Sequence, residues 1–330
     1  MMLIDRILQK IDEKKNSCVV GLDPVPERIP SNLFYGSSDE SIASAFRIFV
    51  FGIIDSIYDL VPIVKPQIAF YEKYGSPGLQ AFKDVVEYAR MHGLIVIEDG
   101  KRADILSTSK AYADGHLGKV WTPEGERHSL NLDLLTINPY LGNDGLDPFI
   151  ESCRKYDKGV FILVKTSNPS SVQFQDRMVK VNELEENLLR ERGISVEGEY
   201  TQLYNLVALQ VDKYAEEYIG ERGYSSLGAV VGAPFPEQVK TLRKIMPRSI
   251  FLVPGYGKKQ GGRADDVVHC FNDDGYGAVV NSSRDIDFAW ETENNKRDWG
   301  KASREKTIEM ISDIRNIQKK EGKIPMSWSI

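Results

Sequence analysis

The sequence has little cysteine or histidine, no long hydrophobic run and no excess of positive charge. Cys18, Cys153 and Cys270 are odd in number and far apart, so no disulfide framework is expected and a cytoplasmic location is the default. The four histidines lack the spacing of metal ligands, which predicts surface or structural positions for them. No run of about 18 apolar residues is available to span a membrane. A formal net charge of -6 argues against a nucleic-acid-binding surface.

The signatures of several common enzyme classes are also missing. The chain contains neither a phosphate-binding P-loop nor a Gly-x-Ser-x-Gly nucleophile elbow. Residues 1–15 carry alternating charge and lack the apolar core of a signal peptide. Because the sequence starts at Met1, the chain is expected to be free-standing rather than fused to another enzyme. The composition is that of an ordinary globular protein, 42% hydrophobic and 27% charged over 330 residues, with ample material for a large core.

Short apolar segments alternate with helical patterns along the chain. Eight of these segments predict strands, at 18–23, 63–67, 94–99, 134–139, 159–165, 227–231, 250–253 and 278–281. Helical periodicity predicts helices at 2–14 (within an N-terminal segment 1–15), 42–58, 77–92, 105–117, 146–156, 204–218, 236–246 and 304–319. This alternation predicts an α/β fold, a (β/α)8 TIM barrel with inserted loops that forms a single domain over 1–330. An open doubly wound sheet would need a glycine-rich loop after its first strand, where this chain has prolines.

Two stretches fit neither pattern and are interpreted as insertions. Residues 118–131 are polar and predicted to be irregular. Residues 170–200 are long, charged and weakly periodic, which makes them a candidate lid over a site.

Polar side chains accumulate where the predicted strands end. Asp23 closes the first strand, Lys65 the second, and Asp99 and Lys101 the third. Asp99 and Lys101 project to the same side of a strand, whereas Asp104 begins the next element and can point elsewhere. The C-terminal strand ends of a barrel ring one mouth, where active sites are built. Since the N-terminal ends are mostly apolar or glycine, the asymmetry favours an active site over a merely solvated surface.

Two loops near the end of the chain suit a phosphate group. Residues 254–262 are rich in glycine, and Arg284 follows the eighth predicted strand. Loops after the seventh and eighth strands of a barrel commonly hold phosphate through backbone N–H groups, and an arginine can add a bidentate contact. Glycine in one loop and arginine in the other therefore predict a phosphate site.

The sequence Asp99-Gly100-Lys101-Arg102-Ala103-Asp104-Ile105, with Thr108 after it, resembles the Asp-x-Lys-x-x-Asp-Ile signature of the orotidine 5'-monophosphate decarboxylase family. The similarity extends over most of the chain, through 21–23, 65–72, 164–169, 230–233, 253–257 and 281–284. The length and the inserted loops are similar to those of the longer, type 2 subfamily. Phosphosugar decarboxylases and aldolases of the same superfamily share Asp-x-Lys-x-x-Asp, but Lys65 and the segment 67–72 favour the nucleotide decarboxylase.

The resemblance implies a carboxy-lyase that converts orotidine 5'-monophosphate (OMP) to uridine 5'-monophosphate (UMP) and CO2, the last step of de novo pyrimidine synthesis, without metal or cofactor. It implies an alternating array of Lys65, Asp99, Lys101 and Asp104, with Lys101 as the proton donor to C6. Asp104 would enter the site from the other subunit of a homodimer. The resemblance also implies that Asp23 and Lys65 contact the ribose hydroxyls and that Ser167 contacts the pyrimidine. The phosphate would be held by Gln260 and Arg284, together with backbone groups near Gly255 and Ser283. Ile105 and Thr108 would line the partner's site, and Gln67 and Pro254 would be further substrate-binding residues.

One departure from the family lies in the phosphate loop. The family usually has Pro-Gly-x-Gly-Ala-Gln-Gly-Gly, whereas this chain has one residue more between Pro254 and Gly262, and the alanine is absent. Gln260 matches by its Gly-Gly context and Lys259 by its distance from Pro254. Either residue is a candidate for the phosphate contact, and a lengthened turn without consequence is an equal alternative.

Two other functions stay open. In a magnesium-dependent phosphosugar aldolase or decarboxylase of the same superfamily, these acids would bind metal. Lys65 opposes that function because its cation would repel magnesium. A uridine-nucleotide-binding protein without catalysis is the second alternative, and the intact set of Lys65, Asp99, Lys101 and Asp104 argues against it.

Overall fold

The structure, a computed structural model, describes residues 1–257, 262–291 and 298–328. The described residues form twelve strands: β1 (Cys18–Leu22), β2 (Ile63–Pro66), β3 (Ile95–Arg102), β4 (Lys119–Thr122), β5 (Gly125–His128), β6 (Leu134–Ile137), β7 (Gly159–Lys165), β8 (Met178–Lys180), β9 (Tyr200–Gln202), β10 (Ser225–Val231), β11 (Ser249–Val253) and β12 (Ala278–Ser282). The same residues form twelve α-helices: α1 (Leu3–Lys14), α2 (Asp39–Ile57), α3 (Ala69–Glu72), α4 (Gly75–Met91), α5 (Leu106–His116), α6 (Asn143–Tyr156), α7 (Glu183–Glu191), α8 (Leu203–Glu216), α9 (Pro236–Ile245), α10 (Ala264–Val267), α11 (Arg284–Asp287) and α12 (Trp299–Lys320).

The predicted barrel is confirmed. Across the described residues, eight parallel strands close into a ring in the order β1, β12, β11, β10, β7, β6, β3 and β2. The ring closes through β1, whose Val19 lies opposite Ile63 on one side and Asn281 on the other. Every residue of β1 is buried, as a parallel strand covered by helices requires. The predicted helices are confirmed as well, although the last begins at Trp299 rather than at 304, because the side chain of Asp298 caps its N-terminus.

Helix α1 closes the N-terminal end of the barrel. Its apolar positions Leu3, Ile4 and Ile7 are almost fully buried and belong to one core cluster with Ile63 and Ile95, the first residues of β2 and β3. Full burial of one such side chain stabilises the fold by about 1.5–3 kcal/mol. Because apolar side chains fill this end, the polar strand ends are left at the opposite, C-terminal mouth.

The insertion 118–131 is more regular than the sequence predicted. Strands β4 and β5 form an antiparallel hairpin, with Thr122 paired to Gly125 across a two-residue turn. The prediction of an irregular segment was therefore wrong. Valine, tryptophan and threonine at 120–122 favour a strand, and Pro123 presets the backbone for the turn.

The insertion 170–200 also contains regular structure. Strands β8 and β9 pair antiparallel, and α7 begins with a capping box in which the side chain of Asn182 accepts from the backbone of Glu185 and the side chain of Glu185 accepts from the backbone of Asn182. The segment is anchored at the barrel by Lys165, the last residue of β7, whose fully buried ammonium donates to Asp176 Oδ1 at 2.5 Å. Its role as a lid stays a prediction.

Candidate active site

The centre of the site is a carboxylate held between two ammonium groups. Asp99 Oδ2 lies 2.8 Å from Lys65 Nζ, and Asp99 Oδ1 lies 2.5 Å from Lys101 Nζ. Lys65 is the last residue but one of β2 and is only 3% exposed, whereas the side chain of Lys101 is 45% exposed. The structure therefore brings together three of the four residues predicted as the charged array.

The backbone that carries Lys101 is unusual. Strand β3 continues beyond its predicted end at 99 to Arg102, with a register shift against β6 between Glu98 and Arg102. Lys101 has a φ of 46°, in the left-handed region that is unfavourable for a residue with a side chain. The hydroxyl of Thr136 holds this conformation, because it accepts the N–H groups of Gly100 at 3.0 Å and Lys101 at 2.9 Å. It also donates to Asp99 Oδ1 at 3.2 Å.

The charges of the cluster keep one another ionised. Burial alone would raise the pKa of the Asp99 carboxyl, but Lys65 and Lys101 outweigh it and hold that pKa well below its usual range. Burial alone would lower the pKa of Lys65, but Asp99 and Asp23 outweigh it and raise that pKa. The Asp99 carboxyl group is therefore ionised at neutral pH, and the buried Lys65 beside it stays protonated.

Asp23 stands at the end of β1, beside the turn that follows β12. Gly21 permits this arrangement, since a Cβ at that position would lie 1.8 Å from Ser283 Oγ. Burial raises the pKa of Asp23, although Lys65 opposes the shift. The structure thus places Asp23, Lys65 and Ser283 at neighbouring strand ends, as expected from the sequence.

Ser167 lies against the backbone of two other loops at the mouth. A Cβ on Gly232 would lie 2.7 Å from Ser167 Cα, and one on Gly255 would lie 3.0 Å from Ser167 Cβ. Gly255 has a φ of 90°, a conformation that favours glycine. The loops after β7, β10 and β11 therefore meet at Ser167.

The other predicted phosphate and substrate residues are only partly described. Arg284 is exposed at the start of α11, directly after Ser283, and Pro254 is half-buried. Gln67 is half-buried and pairs with Asp99 through an isolated β-bridge. Lys259 and Gln260 lie outside the described residues.

Three predicted residues are not joined to the central cluster within one chain. Asp104 Oδ1 accepts the N–H of Ile105 at 2.8 Å, and in the described part of the chain no hydrogen bond or ion pair links Asp104 to Lys65, Asp99 or Lys101. Ile105 and Thr108 are exposed. The placement of Asp104 in the partner's site stays a prediction.

The histidines and acids do not form a metal cluster in residues 1–257, 262–291 and 298–328, where no three His, Cys, Asp or Glu side chains gather in a group that could hold an ion. His116 is buried and contacts Glu98 Oε2 through Nδ1 at 2.6 Å, a structural position.

None of the helices in the described ranges combines the length and the apolar character needed to cross a membrane.

Two residues of the site were not found from the sequence. Thr136 lies inside a predicted strand, and only its cross-strand position beside Asp99 reveals it. Asp287 is fully buried, and its Oδ2 accepts the N–H of Asp23 at 3.2 Å. Neither residue is marked in the sequence by a helix-capping motif or by hydrophobic periodicity.

Comparison with known proteins agrees with this geometry. A family model described as "Orotidine 5'-phosphate decarboxylase / HUMPS family" matches residues 49–289. Orotidine 5'-phosphate decarboxylase of Rhodopirellula baltica is 43% identical over 304 residues, 90% of this chain and 93% of that protein. The protein of the same name from Caldicellulosiruptor bescii is 39% identical and covers 87% and 89%. The structure of Leishmania donovani OMP decarboxylase superposes with a TM-score of 0.67 at 25% identity, over 97% of this chain and 99% of that one. The chain belongs to the orotidine 5'-phosphate decarboxylase / HUMPS family.

Proposed function

We propose that this chain converts OMP to UMP and CO2 at the C-terminal mouth of its barrel, with Lys101 as the proton donor to C6. The observation that carries the proposal is Asp99 held between Lys65 and Lys101 by ion pairs of 2.8 and 2.5 Å. Both cations and the anion come from strand ends that face the opening. A substrate that develops negative charge during reaction matches this arrangement.

Removal of CO2 from C6 of orotate leaves a carbanion that no π-system or cofactor stabilises. The ammonium group of Lys101 is placed to attract that charge and then to supply the proton. At about 4 Å and an effective dielectric constant near 20, one such pair contributes about 4 kcal/mol. That is about a thousandfold in rate.

Asp99 acts on the other end of the reaction. Its low pKa keeps it ionised, so that it repels the carboxylate of bound OMP. This repulsion falls as CO2 leaves, which favours the transition state over the ground state. The two lysines keep Asp99 charged while the substrate binds.

The other strand ends hold the rest of the nucleotide. Asp23 and Lys65 contact the ribose hydroxyls, Ser167 contacts the pyrimidine, and backbone near Gly255 and Ser283 binds the phosphate with Arg284 and either Gln260 or Lys259. Gln67 and Pro254 complete the wall of the site. Because the phosphate is remote from C6, its binding energy is available to order the site around the reacting carbon.

A second copy of the chain completes each site. Apolar side chains in the segments that directly follow β3, β6 and β7, three neighbouring strands of the barrel, are exposed. This apolar rim consists of Ile105, Leu106, Tyr140, Leu141, Val172 and Phe174. Such surfaces favour association, and the segment with Asp104, Ile105 and Thr108 lies within it. We place Asp104 in the partner's site, beside the partner's own lysine pair.

Mixing two inactive variants tests the shared site. Lys101→Ala and Asp104→Ala each inactivate both sites of their own homodimer. A hybrid dimer contains one site in which both residues are intact. Co-refolded equimolar variants are expected to recover about a quarter of wild-type activity, since half of the dimers are hybrids with one active site each. No recovery, with dimers present by light scattering, would contradict the placement of Asp104.

The ion pairs of Asp99 argue against the magnesium-dependent alternative. Each of the Asp99 oxygens already meets an ammonium group, and a divalent cation would be repelled by both. An assay that follows loss of the orotate chromophore, with and without chelator, separates the functions. We expect turnover that resists the chelator. Turnover abolished by chelator would favour the metal-dependent function, and UMP binding without turnover would favour the non-catalytic one.

The three cysteines support a proposal about the cellular location. Cys18, Cys153 and Cys270 are free and buried, which suits a reducing compartment. We propose a cytoplasmic enzyme.

A further inference from the structure

Asp287 is a buried carboxyl group beside the proposed ribose site. It is the last residue of α11, and it is 0% exposed. Its Oδ2 accepts the backbone N–H of Asp23 at 3.2 Å, and its Oδ1 has no hydrogen-bond partner among the described residues. A buried carboxyl group is costly unless its contacts offset the loss of water. The contact with Asp23 is therefore the feature that calls for an explanation.

The pairing of β1 with β12 ends just before this contact. Cys18 lies opposite Val280, Val19 opposite Asn281, and Val20 opposite Ser282, and the ladder goes no further. Asp23 lies three residues beyond its last rung, and Ser283 lies one residue beyond. The hydrogen bond from the N–H of Asp23 to Asp287 therefore connects the segment after β1 with the segment after β12, beyond the point where the two strands pair.

The charges around Asp287 come from strand β2 and from the segment that follows β1. Burial raises the pKa of Asp287 well above its usual range, and the carboxylate of Asp23 adds to the shift, while Lys65 and Arg28 oppose it. Tyr71 also lies within electrostatic range of both acids. Lys65 in turn interacts with Asp99, Asp23 and Asp287. Asp287 is thus part of the charge network that surrounds the ribose end of the site.

We infer that Asp287 is a positioning residue for ribose recognition, because it fixes the main chain of Asp23 against the phosphate-binding turn of Ser283 and Arg284. The inference rests on the proposed roles of Asp23 and of that turn. One nucleotide presents its ribose and its phosphate at a set separation. The two strand ends that meet these groups must be held at a matching separation, and Asp287 provides the link.

The test compares two nucleotides that differ only in the ribose. Dissociation constants are measured by calorimetry for UMP and for 2',3'-dideoxyuridine 5'-monophosphate, which lacks both ribose hydroxyls. Their ratio is the ribose preference, in which changes at the phosphate or the base cancel. Asp287→Leu fills the same space without an acceptor and is expected to lower the preference about tenfold. Asp287→Asn keeps an acceptor oxygen and is expected to retain it.

Asp5 offers a matched control at the opposite end of the barrel. It is 3% exposed, its Oδ1 accepts the backbone N–H of Arg222 at 3.3 Å, and its Oδ2 has no partner within the described residues. Asp5→Leu is expected to change the thermal unfolding temperature but not the ribose preference. If Asp287→Leu does not fold, Asp287→Ala replaces it.

A wild-type ribose preference in Asp287→Leu, or an equal loss in Asp5→Leu, would overturn the inference. Loss of the preference in Asp287→Asn as well would show that an acceptor oxygen at this position is not sufficient to maintain it, and would overturn the positioning role. A wild-type protein that binds both nucleotides equally would instead contradict the ribose role of Asp23, which Asp23→Asn checks independently.

Discussion

Replacing Thr136 with valine removes one hydroxyl group at almost constant volume. That hydroxyl accepts the N–H groups of Gly100 and Lys101 and donates to Asp99. Each lost backbone contact lowers the free energy of unfolding by about 1 kcal/mol. Because Gly100 is half-buried and Lys101 is exposed, water partly replaces the lost acceptor, and the total loss of unfolding free energy is about 2 kcal/mol.

The same change should slow catalysis. Without Thr136 the left-handed backbone of Lys101 is no longer held, and the ammonium group leaves its place beside Asp99. If this loss of positioning raises the activation free energy by about 2 kcal/mol, kcat falls about 30-fold. Affinity for UMP changes little, since Thr136 meets Asp99 and backbone rather than nucleotide.

Steady-state decarboxylation of OMP, UMP binding and urea unfolding together check this prediction. Thr136→Ser keeps the hydroxyl and is expected to behave nearly as wild type. A valine variant with normal kcat would refute the positioning of Lys101 by Thr136. A serine variant as slow as the valine variant would refute it too.

Three further outcomes follow from the charges and packing of the mouth. Because Asp99 has a lowered folded pKa, its contribution to stability is complete above its unfolded value of about 3.9 and is lost as the pH falls through the folded pKa. The free energy of unfolding of wild type should therefore exceed that of Asp99→Asn by about 3 kcal/mol at neutral pH, and this difference should disappear in acid. Urea unfolding at a series of pH values measures the difference. A difference that does not depend on pH would disprove the ion-pair account. Asp176→Asn removes the only carboxylate that forms an ion pair with the fully buried ammonium of Lys165 among the described residues, although Ser171 Oγ still accepts a hydrogen bond from it. This change should lower the free energy of unfolding by about 3 kcal/mol. Glu199→Gln, which breaks the exposed pair with Lys180 in the same insertion, should have no measurable effect, and equal effects would show that Lys165 is not an anchor. Gly21→Ala places a Cβ 1.8 Å from Ser283 Oγ and should weaken both UMP binding and stability. Gly115→Ala is the control, because no atom beyond its chain neighbours and its own helix backbone lies within 4 Å of its new Cβ, and it should weaken neither. A harmless Gly21→Ala would mean that the turn after β12 is freely adjustable.

The barrel and the centre of its site could be predicted because they depend on local signals and one geometric rule. Apolar runs mark the strands, and several of these runs end at a polar residue such as Lys65 or Asp99. Closure of the barrel then brings these ends to one mouth whatever the details of packing. The ion pairs of Asp99 with Lys65 and Lys101 follow directly from that convergence.

Features that depend on strand register or on burial could not be predicted from the sequence. The contact of Thr136 with Asp99 requires the exact offset of β6 against the irregular end of β3. A buried acid such as Asp287 cannot be told from an exposed one by residue type, and α11 is too short to show periodicity. The hairpin of β4 and β5 and the helix α7 did have signals, in the strand-forming residues around Trp121 and in the pair Asn182 and Glu185, which the polar composition outweighed.

The most direct test of the account is the chemical step in Lys101→Ala. Single-turnover decarboxylation of OMP is measured beside UMP affinity and thermal unfolding of the same variant. If Lys101 stabilises the carbanion and donates the proton, the chemical step falls about a thousandfold or more, while unfolding is nearly unchanged and UMP binding changes far less. Turnover close to that of wild type would contradict the assignment of the proton donor.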